Sequence, residues 1–465
     1  MLEAMRLSEL VKPLGASLVG ADAQFDSVSI DARKVRAGGL FVALPGERVD
    51  GHDYLAQARA NGAAAAIVAH EVADPLPQLL VHDCRYALGQ LSALARTAFT
   101  GPVVAITGSS GKTTVKEMLA AILRERVQDP EQVLATRGNL NNELGVPLTL
   151  LELSTEHQFA VIEMGAAALG DISYSMALAK PAVSVLTNAG MAHVGRFGSP
   201  EAIARAKGEI ITDLAQEGQA VINLDSPWFE QWYQQLGKRK SLAFSLANPT
   251  AELRAESIEL DERGCPGFLL VTPQGAITVQ LNLLGHHNIA NALAAAGAAQ
   301  LLGTDLEMIR RGLARVTPVA GRVSPLAGEA GSLIIDDSYN ANPTSVKAAI
   351  DILTALKGRR ILVLGDMGEL GEWEQDSHRE VGTYAREQGL DALYAVGRLS
   401  ALAVESFGAN GLLFGSRADL VDALRPELDA TTRVLVKGSR SAGMEEVVAG
   451  LQAAHQSDNN NDKAH

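Results

Sequence analysis

The sequence predicts an α/β protein of three domains: a small α/β unit at 1–82, a central P-loop-type parallel-sheet unit at 83–315 carrying a short antiparallel β insertion, and a Rossmann-like α/β unit at 316–465. Three observations carry this expectation. The chain has 465 residues, too long for one hydrophobic core, and length alone suggests about three domains. Fully apolar runs of strand length alternate with helical periodicity along most of it, as parallel strands covered on both faces do. A glycine-rich loop also joins the first apolar run of the middle section to an amphipathic helix.

In the first unit, short apolar runs at Ser27–Ile30, Gly39–Ala43, Ala65–Val68 and Leu79–Val81 alternate with a helical pattern at Tyr54–Asn61. A helical segment at Tyr86–Phe99 follows. From about 101 to 315 the pattern is βαβ, with buried-strand runs at Val103–Thr107, Phe159–Met164, Ala182–Thr187 and Ala220–Asn223. After the first of these, Val115, Met118, Leu119, Ile122 and Leu123 recur at helical spacing. The stretch Glu252–Leu284 alternates apolar and polar residues around Gly264 and Pro273–Gly275, which predicts antiparallel hairpins. Asn288–Leu302 reads as a helix. Pro318, Gly321 and Pro325 mark a hinge, beyond which Leu333–Asp336, Arg360–Leu364, Ala392–Val396 and Arg433–Val436 predict a second doubly wound sheet. The polar, Asn-rich tail from about 456 is expected to fray.

Composition narrows the function. A hydrophobic share of 47% and a charged share of 20% are those of a globular protein. The formal charge of −14 and the lack of a basic stripe argue against nucleic acid as a partner, because phosphate neutralisation needs clustered Lys and Arg. Cys84 and Cys265 stand in unlike contexts and read as reduced thiols. No apolar segment is long enough to span a bilayer and no secretory leader is visible. A cytoplasmic protein without membrane insertion is expected.

The strongest local signal is the loop Gly108-Ser109-Ser110-Gly111-Lys112-Thr113-Thr114 between a buried strand and a helix. Gly108 and Gly111 let successive N–H groups converge on phosphate oxygens, and the helix N-terminus adds positive potential. Lys112 would reach the β- and γ-phosphates of ATP, and the Thr113 hydroxyl would join a Mg²⁺ shell. The motif is the shortened GxxGKT form, since Ile106 stands where the full pattern has glycine. Glu163 closes a buried strand, so it reads either as a Mg²⁺ carboxylate facing the crevice or as a solvated strand-end acid. His193, in the loop after another buried strand, opens on the same crevice and is a candidate Mg²⁺ neighbour or an ordinary loop residue. Lys207 lies on a helix, where lysines are normally solvated. Asn139, Asn141 and Asn142 would hydrogen-bond a polar substrate or cap the next helix. Asn288 and Asn291 follow His286 and His287 at a helix start, Arg322 sits at the hinge as a candidate phosphate clamp, and Asp336 and Asp337 end the first strand of the third unit.

Together these motifs resemble the Mur ligase family over nearly the whole chain. The resemblance implies roles residue by residue. Gly108–Thr114 is the ATP loop, with Lys112 catalytic, and Glu163 and His193 are the Mg²⁺-side pair. Lys207 matches a lysine that several members carry as a carbamate, which binds a second Mg²⁺ and helps place an acyl phosphate. Asn288 and Asn291 lie near the adenine, Arg322 is the hinge arginine that reaches ATP, and Asp337 is the ribose-side acid. The family's Asp-Ser-Arg stands here as Asp31-Ala32-Arg33, which keeps Arg33 as a cation for the UDP portion without the hydroxyl. Within the family, the stretches Gly138–Thr149, Asp337–Pro343, Leu364–Gly371 and Val436–Arg440 imply UDP-N-acetylmuramoyl-tripeptide and D-alanyl-D-alanine as the partners, with ATP and Mg²⁺ as cofactors and a monomer as the working unit. Two other readings stand beside this one. A folyl-polyglutamate ligase shares the ATP loop but not these stretches; the other is a nucleotide-dependent switch or scaffold in which hydrolysis drives a shape change, its guanine-specific form needing an Asn-Lys-x-Asp stretch that the chain lacks.

Overall fold

The computed structural model describes residues 4–46, 49–191 and 194–453. Three main sheets follow one another along the chain, each with its own cores. In the first, strands β1 (Ser17–Val19), β2 (Val28–Ser29), β3 (Leu40–Val42), β4 (Ala65–Val68) and β5 (Gln78–Leu80) lie in the order β1-β5-β4-β3-β2. Only β1 is antiparallel to its neighbour. Helix α1 (Cys84–Ala98) starts where the Asp83 side chain accepts from the N–H groups of Arg85 and Tyr86. Its apolar stripe (Cys84, Ala87, Leu88, Leu91, Ala95) is buried against Leu40, Val42, Ile67 and Leu79 of this sheet. Arg96 near its end reaches the Ala179 and Lys180 carbonyls of the central unit at 2.6 and 3.1 Å. The helix therefore serves as the shared wall between the first two units.

The central sheet has nine strands. In chain order they are β6 (Val103–Thr107), β7 (Val133–Ala135), β8 (Phe159–Glu163), β9 (Val183–Leu186), β10 (Gln219–Asn223), β11 (Ser241–Ser245), β12 (Leu253–Leu260), β13 (Pro266–Thr272) and β14 (Gly275–Gln280). Their spatial order is β14-β13-β12-β11-β10-β9-β6-β8-β7, with β12–β14 forming the expected antiparallel insertion and the rest parallel. Successive residues of β6 feed opposite cores, as the period of a strand requires: Val104 and Ile106 one, Val103 and Ala105 the other. On the first of these faces lie α2 (Lys112–Arg124) and the alanine-rich α5 (His287–Leu301). Helices α3 (Gly145–Leu151) and α4 (Pro200–Thr212) contribute to cores on the other side.

The third sheet is ordered β15-β16-β20-β17-β18-β19. These strands are β15 (Ser324–Ala327), β16 (Leu333–Asp337), β17 (Arg359–Gly365), β18 (Ala392–Val396), β19 (Gly411–Phe414) and β20 (Thr432–Lys437). All are parallel except the edge strand β15. Strand β20 returns to insert between β16 and β17, so the ends Asp337 and Lys437 meet at a switch point of the sheet. Helix α6 (Pro343–Ala355), capped by Asn342, covers one face. The third unit also touches the central one: Val194 and Ile203 are buried in its core, and Gly195 N–H donates to the Glu369 carbonyl at 3.0 Å. Among the described residues no helix is long and apolar enough to cross a membrane. The tail from about 456 lies outside the described residues.

Candidate functional site

Residues just beyond the C-terminal ends of β6 and β9, with Asn223 at the end of β10, face Asp337 and Lys437 at the ends of β16 and β20 across a cavity of about 290 Å³. The glycine loop forms one wall. Gly111 has φ +81° and precedes α2 directly, and a Cβ there would lie 2.4 Å from Asn291 Oδ1. Both the backbone angle and the space therefore require glycine. The loop is tied to the segment after β9 at several points. Ser109 N–H donates to the Asn188 carbonyl (3.0 Å), Ser110 N–H to Asn188 Oδ1 (3.0 Å), and Thr187 Oγ1 to the Ser110 carbonyl (2.7 Å). Gly190 N–H donates to Ser109 Oγ at 2.9 Å. Lys112 Nζ folds back onto the Gly108 carbonyl at 2.7 Å, where burial lowers its pKa, the Glu163 carboxylate opposes that shift and the Arg322 guanidinium adds to it. Thr113 is buried beside it and Thr114 lines the cavity.

Glu163 ends β8 and is 1% exposed. Its N–H donates to Thr136 Oγ1 (2.9 Å) and its Oε1 accepts from Asn141 Nδ2 (2.7 Å). Its Oε2 is buried with no hydrogen-bond partner. An orphaned carboxylate oxygen of this kind is costly unless a cation takes it. Among the described residues no three His, Cys, Asp or Glu side chains gather into a metal cage. Mg²⁺ suits such a place, since it is held by one or two protein oxygens and fills its shell with phosphate and water.

Lys207, on α4, is 2% exposed. Burial brings its pKa down to about 7, the Lys112 ammonium pushes the same way, and Asp171 and Glu209 oppose them. His193 lies outside the described residues. Asn288 and Asn291 line the cavity while satisfying each other, Asn291 Nδ2 donating to Asn288 Oδ1 at 2.9 Å. From the third unit come Arg322, whose guanidinium stacks 4.3 Å from the Tyr339 ring centre, and Asp337. Asp337 forms a buried ion pair with Lys437, whose Nζ also donates to the Asn340 carbonyl at 2.9 Å. The adjacent Asp336 accepts from Gly321 N–H (2.9 Å) and Ser338 N–H (3.1 Å), which fixes the hinge and separates the roles of two neighbouring acids.

The three amides that the sequence groups together part company. Asn141 holds Glu163, Asn142 Oδ1 accepts from Gly145 N–H (2.9 Å) at the start of α3, and Asn139 is exposed. Arg33 is exposed and paired with Asp31 at 2.9 Å. Asp31 and Lys34 line a second cavity of about 630 Å³ between the first unit and the segment leading to α3, together with Arg36 and Arg137. Thr187, Asn188, Tyr339 and Lys437 did not stand out as site residues in the sequence. The one signal they share is position, as polar residues at or just beyond the ends of buried strands.

Comparison with known proteins follows the same division. The family model described as "Mur ligase family, catalytic domain" matches residues 24–96, "Mur ligase middle domain" matches 106–299, and "Mur ligase, glutamate ligase domain" matches 321–440. The chain is 43% identical to the UDP-N-acetylmuramoyl-tripeptide–D-alanyl-D-alanine ligase of Escherichia coli, over 97% of this chain and 98% of that one. It superposes on MurF from Acinetobacter baumannii with a TM-score of 0.90 at 37% identity, covering 96% of this chain and 98% of that one. MurF ligase from Thermotoga maritima, solved in complex with ADP, gives 0.81 at 30% identity, covering 91% and 96%.

Proposed function

We propose, for a chain that belongs to the Mur ligase family, that it joins D-alanyl-D-alanine to UDP-N-acetylmuramoyl-tripeptide using ATP, a step of peptidoglycan precursor synthesis. The observation that carries this reading is that the Lys112 ammonium lies close enough to the Glu163 carboxylate and to Arg322 of the third unit to be influenced by both, that Glu163 keeps one oxygen bare, and that the adjoining cleft is lined by the glycine loop, Arg322 and Asp337. Cytoplasmic residence and a monomeric enzyme belong to the same reading.

The chemistry needs such a cleft. A carboxylate is a poor acyl donor because oxide is a poor leaving group. Passing the γ-phosphoryl of ATP to the tripeptide's terminal carboxylate creates an acyl phosphate, from which the dipeptide's amine displaces phosphate. Both reactants of the first step are anions. The N–H groups of Gly108–Thr114 and the Lys112 ammonium lower their repulsion, and Lys112 leaves the Gly108 carbonyl to do so. Bound Mg²⁺ would supply further charge neutralisation. Glu163 Oε2 and the Thr113 hydroxyl are the atoms that would hold it, and the family resemblance adds His193 to that set. Asn188 and Thr187 keep the loop in its curled form, Asn288 and Asn291 border the base, and Arg322 and Asp337 close over the nucleotide from the third unit. Lys207, with a pKa of about 7, holds enough neutral amine near neutral pH to take up CO₂ as a carbamate. The cavity beside Asp31, Lys34, Arg36 and Arg137 fits a pyrophosphate-linked nucleotide, and Arg33 reaches it only through its ion pair with Asp31.

Phosphate release tests the reading. It should require both the UDP-linked tripeptide and D-alanyl-D-alanine, and the product should gain the mass of the dipeptide less water. Release indifferent to either substrate would identify a nucleotide-driven switch instead.

A further inference from the structure

Lys116 stands one turn beyond Lys112 on α2 and is 2% exposed. Lysine on an amphipathic helix ordinarily carries its ammonium to water. Here Nζ points inward, donates to the Thr136 carbonyl at 2.7 Å and pairs with Glu117 Oε1 at 2.6 Å. Thr136 follows β7 and is 1% exposed. Its N–H donates to the Val161 carbonyl (3.0 Å) and its hydroxyl accepts the Glu163 N–H (2.9 Å). Farther along the same connection, Asn141 takes Glu163 Oε1. The segment 136–141 thus grips Glu163 by its backbone and by one carboxylate oxygen, leaving the other oxygen bare. Lys116 is the tie between that segment and the helix that carries the phosphate-binding lysine. A buried ammonium costs desolvation that an apolar side chain of similar length would avoid, so packing alone does not account for it.

We propose that Lys116 is a positioning residue for the metal side of the site. By anchoring the Thr136 peptide to α2, it sets where the bare oxygen of Glu163 stands relative to Lys112 and the nucleotide loop. The proposal rests on reading Glu163 as the metal carboxylate.

The test uses the full chain and Mn²⁺ as the probe, with binding followed by electron paramagnetic resonance in the presence of a non-hydrolysable ATP analogue. Lys116→Met should weaken Mn²⁺ binding about tenfold, the lower end for loss of a group that orients a metal ligand. Metal-free affinity for the analogue should stay within about twofold on the same argument, since the loop itself is untouched. Thr136→Val should act in the same direction, Thr136→Ser should restore binding, and the Lys116→Met/Thr136→Val double variant should be no weaker than the worse single one. Glu163→Gln separates the two readings. If it abolishes Mn²⁺ binding while folded Lys116→Met binds Mn²⁺ normally, Lys116 is only a core lysine and the proposal is overturned. If Glu163→Gln binds Mn²⁺ normally, the metal reading of Glu163 fails first and the proposal falls with it. Should Lys116→Met not fold, Lys116→Gln decides on the same readout: weakened Mn²⁺ binding supports the proposal and normal binding overturns it.

Discussion

Lys112, Glu163 and Lys207 show how surroundings change the charge chemistry of ordinary side chains. Lys112 is held by one carbonyl in a cleft it shares with Arg322, so its charge is concentrated where an anion would be welcome. Lys112→Ala should lower ligation by about 100-fold or more, as loss of a transition-state cation does, while leaving thermal unfolding nearly unchanged. A variant that forms the peptide bond at the normal rate would defeat the electrostatic reading. Lys207 makes a prediction in stability. Its folded pKa of about 7 lies below the ordinary lysine value of 10.5. Between these values the unfolded chain binds the extra proton, so the folded state is penalised. The penalty is full below the folded pKa and shrinks as pH rises from there through the unfolded one. In carbonate-free buffer, Lys207→Met should therefore melt higher than the parent near neutral pH, and differential scanning calorimetry should show the gap narrowing in alkaline buffer. The same variant should be inactive as a ligase.

The glycine loop is an element in the strict sense, since its shape is owed to both of its neighbours. Gly111 provides the left-handed turn, and Thr187, Asn188 and Gly190 hold the curl from outside. Gly111→Ala would place a methyl 2.4 Å from Asn291 Oδ1 at φ +81°. The expected result is a tenfold or greater loss of affinity for an ATP analogue by titration calorimetry, roughly the 1–3 kcal/mol typical of such backbone strain. Helix α1 offers a control, because Asp83→Ala removes a cap far from the cleft. That change should lower stability by about 1 kcal/mol in denaturant unfolding and leave kcat alone.

At the scale of the whole molecule, the cleft exists because the third unit is docked on the central one. Gly195 and Gly371 meet backbone to backbone, Arg196 pairs with Glu369 at 2.6 Å, and Val194 is buried in the third unit's core. A Cβ at Gly195 would sit 2.5 Å from Gly371 N. Gly195→Ala should force the two units apart, and because misplacement of about 1 Å can cost 100-fold, kcat should fall by about that order. Small-angle scattering should show a larger radius of gyration, and a compact variant with normal turnover would show that this contact is dispensable.

Several features were legible in the sequence because each is written in local order. The fully apolar runs announced the parallel strands of the central and third sheets, and the alternation over Glu252–Leu284 announced the hairpins. The placement of the glycine loop and of the strand-end acids was legible for the same reason: Gly111 takes a left-handed φ before a helix, and Glu163 and Asp337 end strands. The short strands Val133–Ala135 and Gly411–Phe414 were not, because so few residues carry no period of their own and only sheet neighbours make them strands. Nor could sequence separate Asn141 from Asn139 and Asn142, or Asp337 from Asp336, since identical side chains a step apart differ only in what folds opposite them. By itself, then, the sequence determined which segments form the strands and helices and where the chain must turn. Tertiary structure alone decided which lysine is buried, which carboxylate oxygen is left bare and which two units share the cleft, because burial and charge neighbours are set by residues far apart in the chain.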